Sequence, residues 1–195
     1  MKKYLLALDE GTTSARAILF DRYGGIVAMA NQAIRQIYPQ PGWVEQDPMD
    51  IYAAEMAALT ECVAKSGIDP CEIAAAGITN QRETAVLWDR ETGIPVAPAI
   101  VWQCRRTADR CAELYAGGYD KRIRAKTGLR QDAYFSATKW EWILRTRPDL
   151  RQRAENGELA AGTVDSWLAW KLTDGWLHVT DRTNAARTML YNIHT

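Results

Sequence analysis

The chain has 195 residues, with 24 basic and 24 acidic side chains and 47% hydrophobic residues. This is an ordinary composition for a globular protein, and a chain of this size buries roughly 70% of its unfolded surface, which is enough for a proper core. A formal net charge of zero argues against nucleic acid as the main partner.

The first ten residues, MKKYLLALDE, resemble a secretory signal only superficially. Their apolar run has five residues and ends at Asp9, which is too short for the hydrophobic region of a signal peptide. No apolar segment long enough to span a membrane follows. We therefore expect a cytoplasmic protein.

Two apolar runs near the N-terminus, residues 4–8 and 17–20, predict a pair of antiparallel strands joined by the turn DEGTTS. A glycine in a tight turn lets backbone N–H groups approach an anion, and threonine hydroxyls add donors. Asp9, at the end of the first strand, suits a hard divalent cation held directly or through water. The hairpin thus predicts a phosphate-binding turn, with an ordinary polar surface turn as an equal alternative for Asp-x-Gly-Thr-Thr alone. No P-loop or Gly-x-Gly-x-x-Gly fingerprint occurs, so bound phosphate would have to lie at this hairpin.

The patterns that follow the hairpin predict an α/β domain. Residues 26–37 alternate in part and predict a third antiparallel strand. The pair Asp47-Pro48 is a typical helix start, and apolar residues at helical spacing predict a helix over 49–66. The apolar run 73–79 predicts a strand that returns parallel to the first. Further strands are predicted over 84–88 and 99–102, and further helices over 105–115, 121–126, 138–146 and 164–172.

The cysteines and histidines do not form the pattern of a metal site or a catalytic triad. His178 and His194 are isolated, and no Cys-x-x-Cys pair occurs. Buried reduced thiols are the favoured interpretation, with Cys104 and Cys111 expected on one face of a helix. The four cysteines are Cys62, Cys71, Cys104 and Cys111.

Four polar or aromatic residues in three segments suggest a site for a small polyol. Arg82 and Glu83 place a donor fork beside an acceptor, which suits vicinal hydroxyl groups, although an isolated Arg-Glu dipeptide is more often an ordinary loop ion pair. Trp102 follows a predicted strand and could pack on a carbon skeleton. Tyr134 offers a phenolic hydroxyl on a loop before a helix. Core packing is the alternative for both aromatic residues.

Together these segments closely resemble the FGGY carbohydrate kinase family of the actin-like ATPase superfamily. The resemblance implies an α/β, ribonuclease H-like domain whose mixed sheet has three antiparallel strands first and then parallel strands, flanked by helices. PGWVEQDP and ITNQRET with IVWQCRRT point to the glycerol-specific branch rather than to members acting on xylulose or ribulose. The matching strings are ALDEGTTSARAILFD, QIYPQPGWVEQDPM, AAGITNQRET, AIVWQCRRTA, TGL, GTVDSWLAWKLT and TNAARTMLYNIHT.

The resemblance implies a role for individual residues in ATP-dependent phosphorylation of glycerol. Asp9 is implied on the magnesium side, contacting the ion through water, and Glu10 stands where many members carry Gln. Because residues alternate along a strand, we expect Glu10 to point away from Asp9. The implied phosphate-binding residues are Gly11, Thr12, Thr13, Ser14 and Arg16, and the implied glycerol-binding residues are Arg82, Glu83, Trp102 and Tyr134.

Members of the family are about two and a half times longer, so the resemblance implies that residues 1–195 are the N-terminal, substrate-binding domain, incomplete at its C-terminal end. The acid that activates the glycerol hydroxyl, and the adenine site, are then expected outside this chain, and no catalytic residue is assigned within it. The intact protein is expected to use Mg²⁺ with ATP and to form a homo-oligomer. The alternatives are a kinase for another small polyol or sugar, and a non-catalytic remnant that binds a polyol or a partner.

Overall fold

The computed structural model describes residues 3–195. The chain forms two compact units. The first consists of the residues up to Gln36 together with Met49–Gln81, and the second of Ile37–Pro48 together with Arg82–Thr195. No helix among residues 3–195 is both long and apolar enough to cross a membrane.

The first unit contains a four-stranded sheet made of β1 (Tyr4–Glu10), β2 (Ser14–Phe20), β3 (Ile26–Ala33) and β5 (Ile73–Asn80). The strand order is β3-β2-β1-β5. Its first three strands are antiparallel neighbours, and β5 runs parallel to β1. This mixed arrangement confirms the predicted fold class.

Helix α1, Pro48–Ser66, connects β3 to β5 after a loop and supplies the other half of this unit's core. Ala58 and Cys62 lie four residues apart on one helical face and are fully buried. They belong to one apolar cluster with Leu8 and Leu19 from the sheet. The alternation of buried positions along β1 leaves Glu10 inside and Asp9 partly exposed, as strand geometry requires.

The second unit combines two short antiparallel strand pairs with helices. The strands are β4 (Glu45–Gln46) paired with β7 (Ala99–Ile100), and β6 (Val86–Asp89) paired with β8 (Leu159–Gly162). The helices are α2 (Ala108–Ala116), α3 (Asp120–Thr127), α4 (Ala137–Thr146), α5 (Pro148–Glu155), α6 (Val164–Leu172) and α7 (Arg182–Ala185).

Tryptophan packing holds β6, β8 and α6 together. Trp88 and Trp167 are fully buried, with ring centroids 5.4 Å apart. The indole N–H of Trp167 donates to the carbonyl oxygen of Pro48 at 2.9 Å. A Cβ at Gly162 would lie 2.5 Å from the Cβ of Ser166 and 3.1 Å from the Trp88 ring, so β8 approaches this cluster only because position 162 is a glycine.

Several predicted boundaries were wrong. The third strand ends at Ala33 rather than Ile37, because Ile37 instead pairs with Glu45 in the second unit. Cys104 and Cys111 do not share a helix, since α2 begins only at Ala108. Both are buried free thiols, as is Cys62, whereas Cys71 is exposed.

Candidate functional site

The turn between β1 and β2 is held from inside the first unit through its carbonyl groups. The carbonyl oxygen of Thr13 accepts from the Ile34 N–H at 2.9 Å, and that of Thr12 accepts from the Gln36 amide at 3.5 Å. The amide of Gln81 donates to the Gly11 carbonyl at 3.3 Å. These contacts fix the turn, while the Thr13 side chain remains exposed.

Gly11 is required by close packing within the turn. Its N–H donates to the Ser14 carbonyl oxygen at 2.9 Å. A Cβ at position 11 would lie 2.9 Å from that same oxygen, which real side chains do not tolerate. The glycine therefore lets the turn close tightly, with its own N–H used inside the turn.

Asp9 and Arg16 face each other across the hairpin. They are register partners of β1 and β2, and a carboxylate oxygen of Asp9 lies 2.7 Å from a guanidinium nitrogen of Arg16. The pair is partly exposed, with 29% and 47% of the two side chains accessible, so it is weak and can be exchanged for other partners. The structure thus brings together the predicted metal-side acid and the predicted phosphate-binding arginine.

The donor set fits magnesium only as part of a larger site. Among residues 3–195, no group of three or more His, Cys, Asp and Glu side chains is arranged to hold a metal ion. Asp9 offers one accessible carboxylate. Mg²⁺ in nucleotide enzymes commonly takes one or two carboxylates, phosphate oxygens and waters, so a single aspartate fits that pattern.

Glu83 is the central residue of the second group. Its side chain is 2% exposed, and its backbone adopts φ 65°, a left-handed conformation uncommon for a non-glycine residue. The carbonyl oxygen of Glu83 accepts from the Ser136 hydroxyl at 3.1 Å. A carboxylate oxygen accepts from the guanidinium Nε of Arg187 at 2.5 Å. These contacts offset the cost of the backbone conformation, on the order of 1–3 kcal/mol.

An aromatic pair lies in the same unit. The rings of Trp102 and Tyr134 meet edge to face, with centroids 5.4 Å apart. The guanidinium carbon of Arg187 lies 5.3 Å from the Tyr134 ring centroid, which links this pair to Glu83. The backbone N–H of Trp102 donates to the hydroxyl of Thr84 at 3.2 Å. The residue that follows Glu83 therefore also contacts the aromatic pair.

Lys139 fixes the loop that carries Tyr134. The side chain of Lys139 is fully buried in α4, and its ammonium group donates to three successive carbonyl oxygens, those of Ala133 at 2.8 Å, Tyr134 at 2.5 Å and Phe135 at 2.9 Å. All three of its donors are satisfied. Burial lowers the pKa of Lys139 to about 7, and the nearby acidic groups oppose that change.

Arg82 does not join the contacts of its neighbour. Its side chain is exposed, and among residues 3–195 it forms no ion pair. Glu83 pairs with Arg187 instead, so the alternative of an ordinary Arg82–Glu83 loop ion pair is wrong. Arg187 and Lys139 carry no local signal in the sequence, because each meets its partners only in the fold; Arg187 lies 104 residues from Glu83.

A cavity of about 350 Å³ in the second unit is separate from these residues. Trp140, His178 and Leu190 are among its lining residues, and its surface is mostly apolar. None of the four residues expected to hold glycerol lines it. The polar and aromatic group around Glu83 is therefore the better candidate for binding a hydroxylated ligand.

Comparison with known proteins gives a consistent picture. A profile described as the FGGY family of carbohydrate kinases, N-terminal domain, matches residues 4–195. The glycerol kinase of Chromobacterium violaceum is 62% identical over 193 residues, which are 99% of this chain and 39% of that protein. The chain thus spans about two fifths of the length of the curated relatives it matches.

Solved structures show the same fold. The crystal structure of Plasmodium falciparum glycerol kinase with ADP superposes with a TM-score of 0.91 at 34% identity, over 98% of this chain and 38% of that one. The xylulose kinase from Rhodospirillum rubrum superposes with a TM-score of 0.86 at 28% identity, over 98% of this chain and 38% of that one.

Proposed function

The chain belongs to the FGGY family of carbohydrate kinases, and from that premise we propose that the protein containing it transfers the terminal phosphoryl group of ATP to glycerol. The products are ADP and sn-glycerol 3-phosphate. The proposal is supported by identities of 57–62% with proteins named glycerol kinase. The match to a xylulose kinase at 28% identity makes a sugar kinase of the same family the second candidate.

The observation that carries the proposal is the group around Glu83. A buried carboxylate, held by Arg187 and lying in one unit with the Trp102–Tyr134 pair, offers a strong acceptor and an aromatic surface. A small polyol needs both, because hydrogen bonds at good geometry must supply most of its affinity. We assign glycerol binding to Arg82, Glu83, Trp102 and Tyr134.

Phosphate binding is assigned to the turn of the first unit. The exposed hydroxyl of Thr13 supplies a donor for phosphate oxygens, while the N–H of Gly11, which donates to the Ser14 carbonyl, keeps the turn tight. Arg16 contributes a charge once it leaves Asp9. Phosphoryl transfer depends mainly on alignment and charge stabilisation, so these donors position ATP rather than react with it. The assigned residues are Gly11, Thr12, Thr13, Ser14 and Arg16.

Asp9 is assigned to Mg²⁺, directly or through a coordinated water. The ion, when bound, neutralises charge on the phosphate oxygens of ATP. Asp9 would hold it with its one carboxylate at the end of β1, which becomes available when Arg16 turns to the phosphates. We also propose that the intact protein acts in the cytoplasm and as a homo-oligomer; the family resemblance is the support for both.

The test is a coupled assay of ADP release by the complete protein that contains this sequence. Glycerol and D-xylulose are compared as acceptors at equal concentrations with Mg²⁺ and ATP, and the product is identified by mass spectrometry. We expect saturable ADP release and glycerol 3-phosphate with glycerol. Release with D-xylulose alone supports the sugar kinase, and release with neither supports a non-catalytic protein.

A further inference from the structure

Arg187 contacts two of the residues assigned to glycerol. Its Nε donates to a carboxylate oxygen of Glu83 at 2.5 Å. Its guanidinium carbon lies 5.3 Å from the centroid of the Tyr134 ring and 4.9 Å from that of Phe135. Arg187 lies just after helix α7. It is not among the site residues expected from the sequence.

The contact with Glu83 balances a charge that would otherwise be stranded. The Glu83 carboxylate is 2% exposed, while 31% of the Arg187 side chain is accessible. Removing one partner of a buried pair costs far more than removing one partner of an exposed pair, because the remaining charge stays desolvated. Arg187 therefore decides whether Glu83 can remain in its inward position.

The contact with Tyr134 adds orientation. A guanidinium plane near an aromatic ring is held by cation–π attraction. Tyr134 in turn meets the ring of Trp102 edge to face. Although burial opposes it, the hydrogen bond and the charge of Glu83 raise the pKa of Arg187 above its ordinary value, which keeps the guanidinium charged at every working pH.

We infer that Arg187 is a positioning residue of the polyol site: it holds the Glu83 carboxylate and the Tyr134 ring in the arrangement that receives the substrate hydroxyls. This rests on the proposed function. An ionised carboxylate has about four lone-pair sites, so one hydrogen bond to Arg187 leaves acceptor capacity for a hydroxyl group. The competing explanation is a purely structural pair that only anchors the segment after α7.

Kinetics of the complete protein separate the two explanations. Arg187→Met keeps much of the side-chain volume without the charge, and Arg187→Lys keeps the charge without the planar fork. We expect Arg187→Met to raise the KM for glycerol by about tenfold to a hundredfold, and Arg187→Lys to give an intermediate KM. The KM for ATP should change by less than about twofold, since Arg187 contacts the residues assigned to the polyol.

Arg151→Met is the matched control, because Arg151 pairs with Glu155 on an exposed surface. It should leave the KM values for glycerol and ATP unchanged.

Chemical rescue adds a readout that a structural pair does not give. Guanidinium added at millimolar concentration to Arg187→Ala should lower the KM for glycerol, while it should not affect Arg151→Ala. If Arg187→Met does not fold, Arg187→Lys and the rescue of Arg187→Ala decide the question.

The outcomes also distinguish the inference from the proposed function. If the wild-type protein phosphorylates no polyol, both are overturned. If the wild type uses glycerol and Arg187→Met or Arg187→Lys leaves its KM within about twofold of wild type, only the inference is overturned. The inference is also overturned if the KM values for glycerol and ATP rise equally, the melting temperature falls and guanidinium gives no rescue. That result would favour the purely structural pair.

Discussion

Glu10 and Glu55 bury two neighbouring carboxyl groups in the first unit. Their side chains are 0% and 1% exposed, and among residues 3–195 neither forms an ion pair. Burial, then the charge of Glu55, raises the pKa of Glu10 to about 9. Burial, then the charge of Asp9, raises the pKa of Glu55 to about 7. Burial and mutual repulsion both disfavour the charged carboxylates, so the folded state binds protons that the unfolded state releases.

We therefore predict that stability falls as the pH rises from about 4.5, where the unfolded acids titrate, to about 9, where Glu10 titrates in the fold. The free energy of unfolding should decrease by up to about 1.4 kcal/mol per pH unit for each retained proton.

Glu10→Gln removes one titrating group at nearly constant shape, so it should reduce this slope and increase stability at pH 8. Urea unfolding at pH 5.5 and 8 measures both effects. Glu61→Gln, which changes a partly exposed residue paired with Lys65, is the control. An unchanged slope in Glu10→Gln contradicts the prediction.

The role assigned to Arg82 gives a second prediction at the scale of single residues. Arg82→Ala in the complete protein should weaken glycerol use by roughly tenfold to more than a hundredfold, because a charge-assisted hydrogen bond contributes about 1.5–3 kcal/mol. ATP binding without glycerol should hardly change. Calorimetric titration of each ligand measures the two constants, with the exposed Arg151→Ala as control. Weaker ATP binding with unaltered glycerol binding would show that Arg82 has been assigned to the wrong site.

Among the structural elements, the turn between β1 and β2 is the clearest test of nucleotide binding. Its backbone is fixed by the hydrogen bond from Ile34 to Thr13, so the exposed Thr13 hydroxyl can be removed without disturbing the fold. Thr13→Val should raise the KM for ATP or lower kcat, with a loss of about 0.5–3 kcal/mol, and leave glycerol binding nearly unchanged. Thr60→Val, on the surface of α1, serves as control. Steady-state kinetics with both values unchanged would show that Thr13 is structural.

The loop before α4 gives a prediction about stability. Lys139→Met leaves the carbonyl oxygens of residues 133–135 without their shared donor, and buried unsatisfied acceptors cost about 1–3 kcal/mol each. We expect a loss of several kcal/mol in urea unfolding, followed in surviving protein by weaker glycerol binding as Tyr134 moves. Lys121→Met, at an exposed position of α3, should have no effect. A variant as stable as the wild type would show that the three hydrogen bonds contribute little.

The sequence predicted elements with strong local patterns and missed those that depend on distant contacts. Helix α1 and strand β5 were recognised because a proline start, helical spacing and an apolar run are all local signals. Strand β8 reads LAAG and was not predicted; it forms because Gly162 permits close packing against Trp88. Glu83 was predicted as a site residue, and this stays a prediction; its partner Arg187 carries no local signal in the sequence.

At the scale of the whole molecule, the chain separates the two proposed tasks between its units. The turn proposed to bind phosphate lies entirely in the first unit, and Glu83 with its partners lies entirely in the second. The division at Gln81–Arg82 was not predicted from the sequence, because the run from 79 to 84 reads as one polar loop. That residues 1–195 form the N-terminal domain of a longer protein remains a prediction. The match to 39% of a relative's length is consistent with it.

The final prediction is that the 195-residue chain alone does not turn over glycerol. The chain corresponds to 39% of its glycerol kinase relatives. Phosphoryl transfer requires ATP, metal and acceptor to be aligned, and such positioning supplies much of the rate enhancement. Among the residues assigned to glycerol, Glu83 is the carboxylate that could take the hydroxyl proton, but it is buried and bound by Arg187, so we expect it to hold a hydroxyl instead. ADP release by the purified chain should equal that of a blank, while a protein of the relatives' length that carries this sequence should be active. Turnover by the isolated chain that disappears in Glu83→Gln would instead make Glu83 the general base and this chain a catalytic unit.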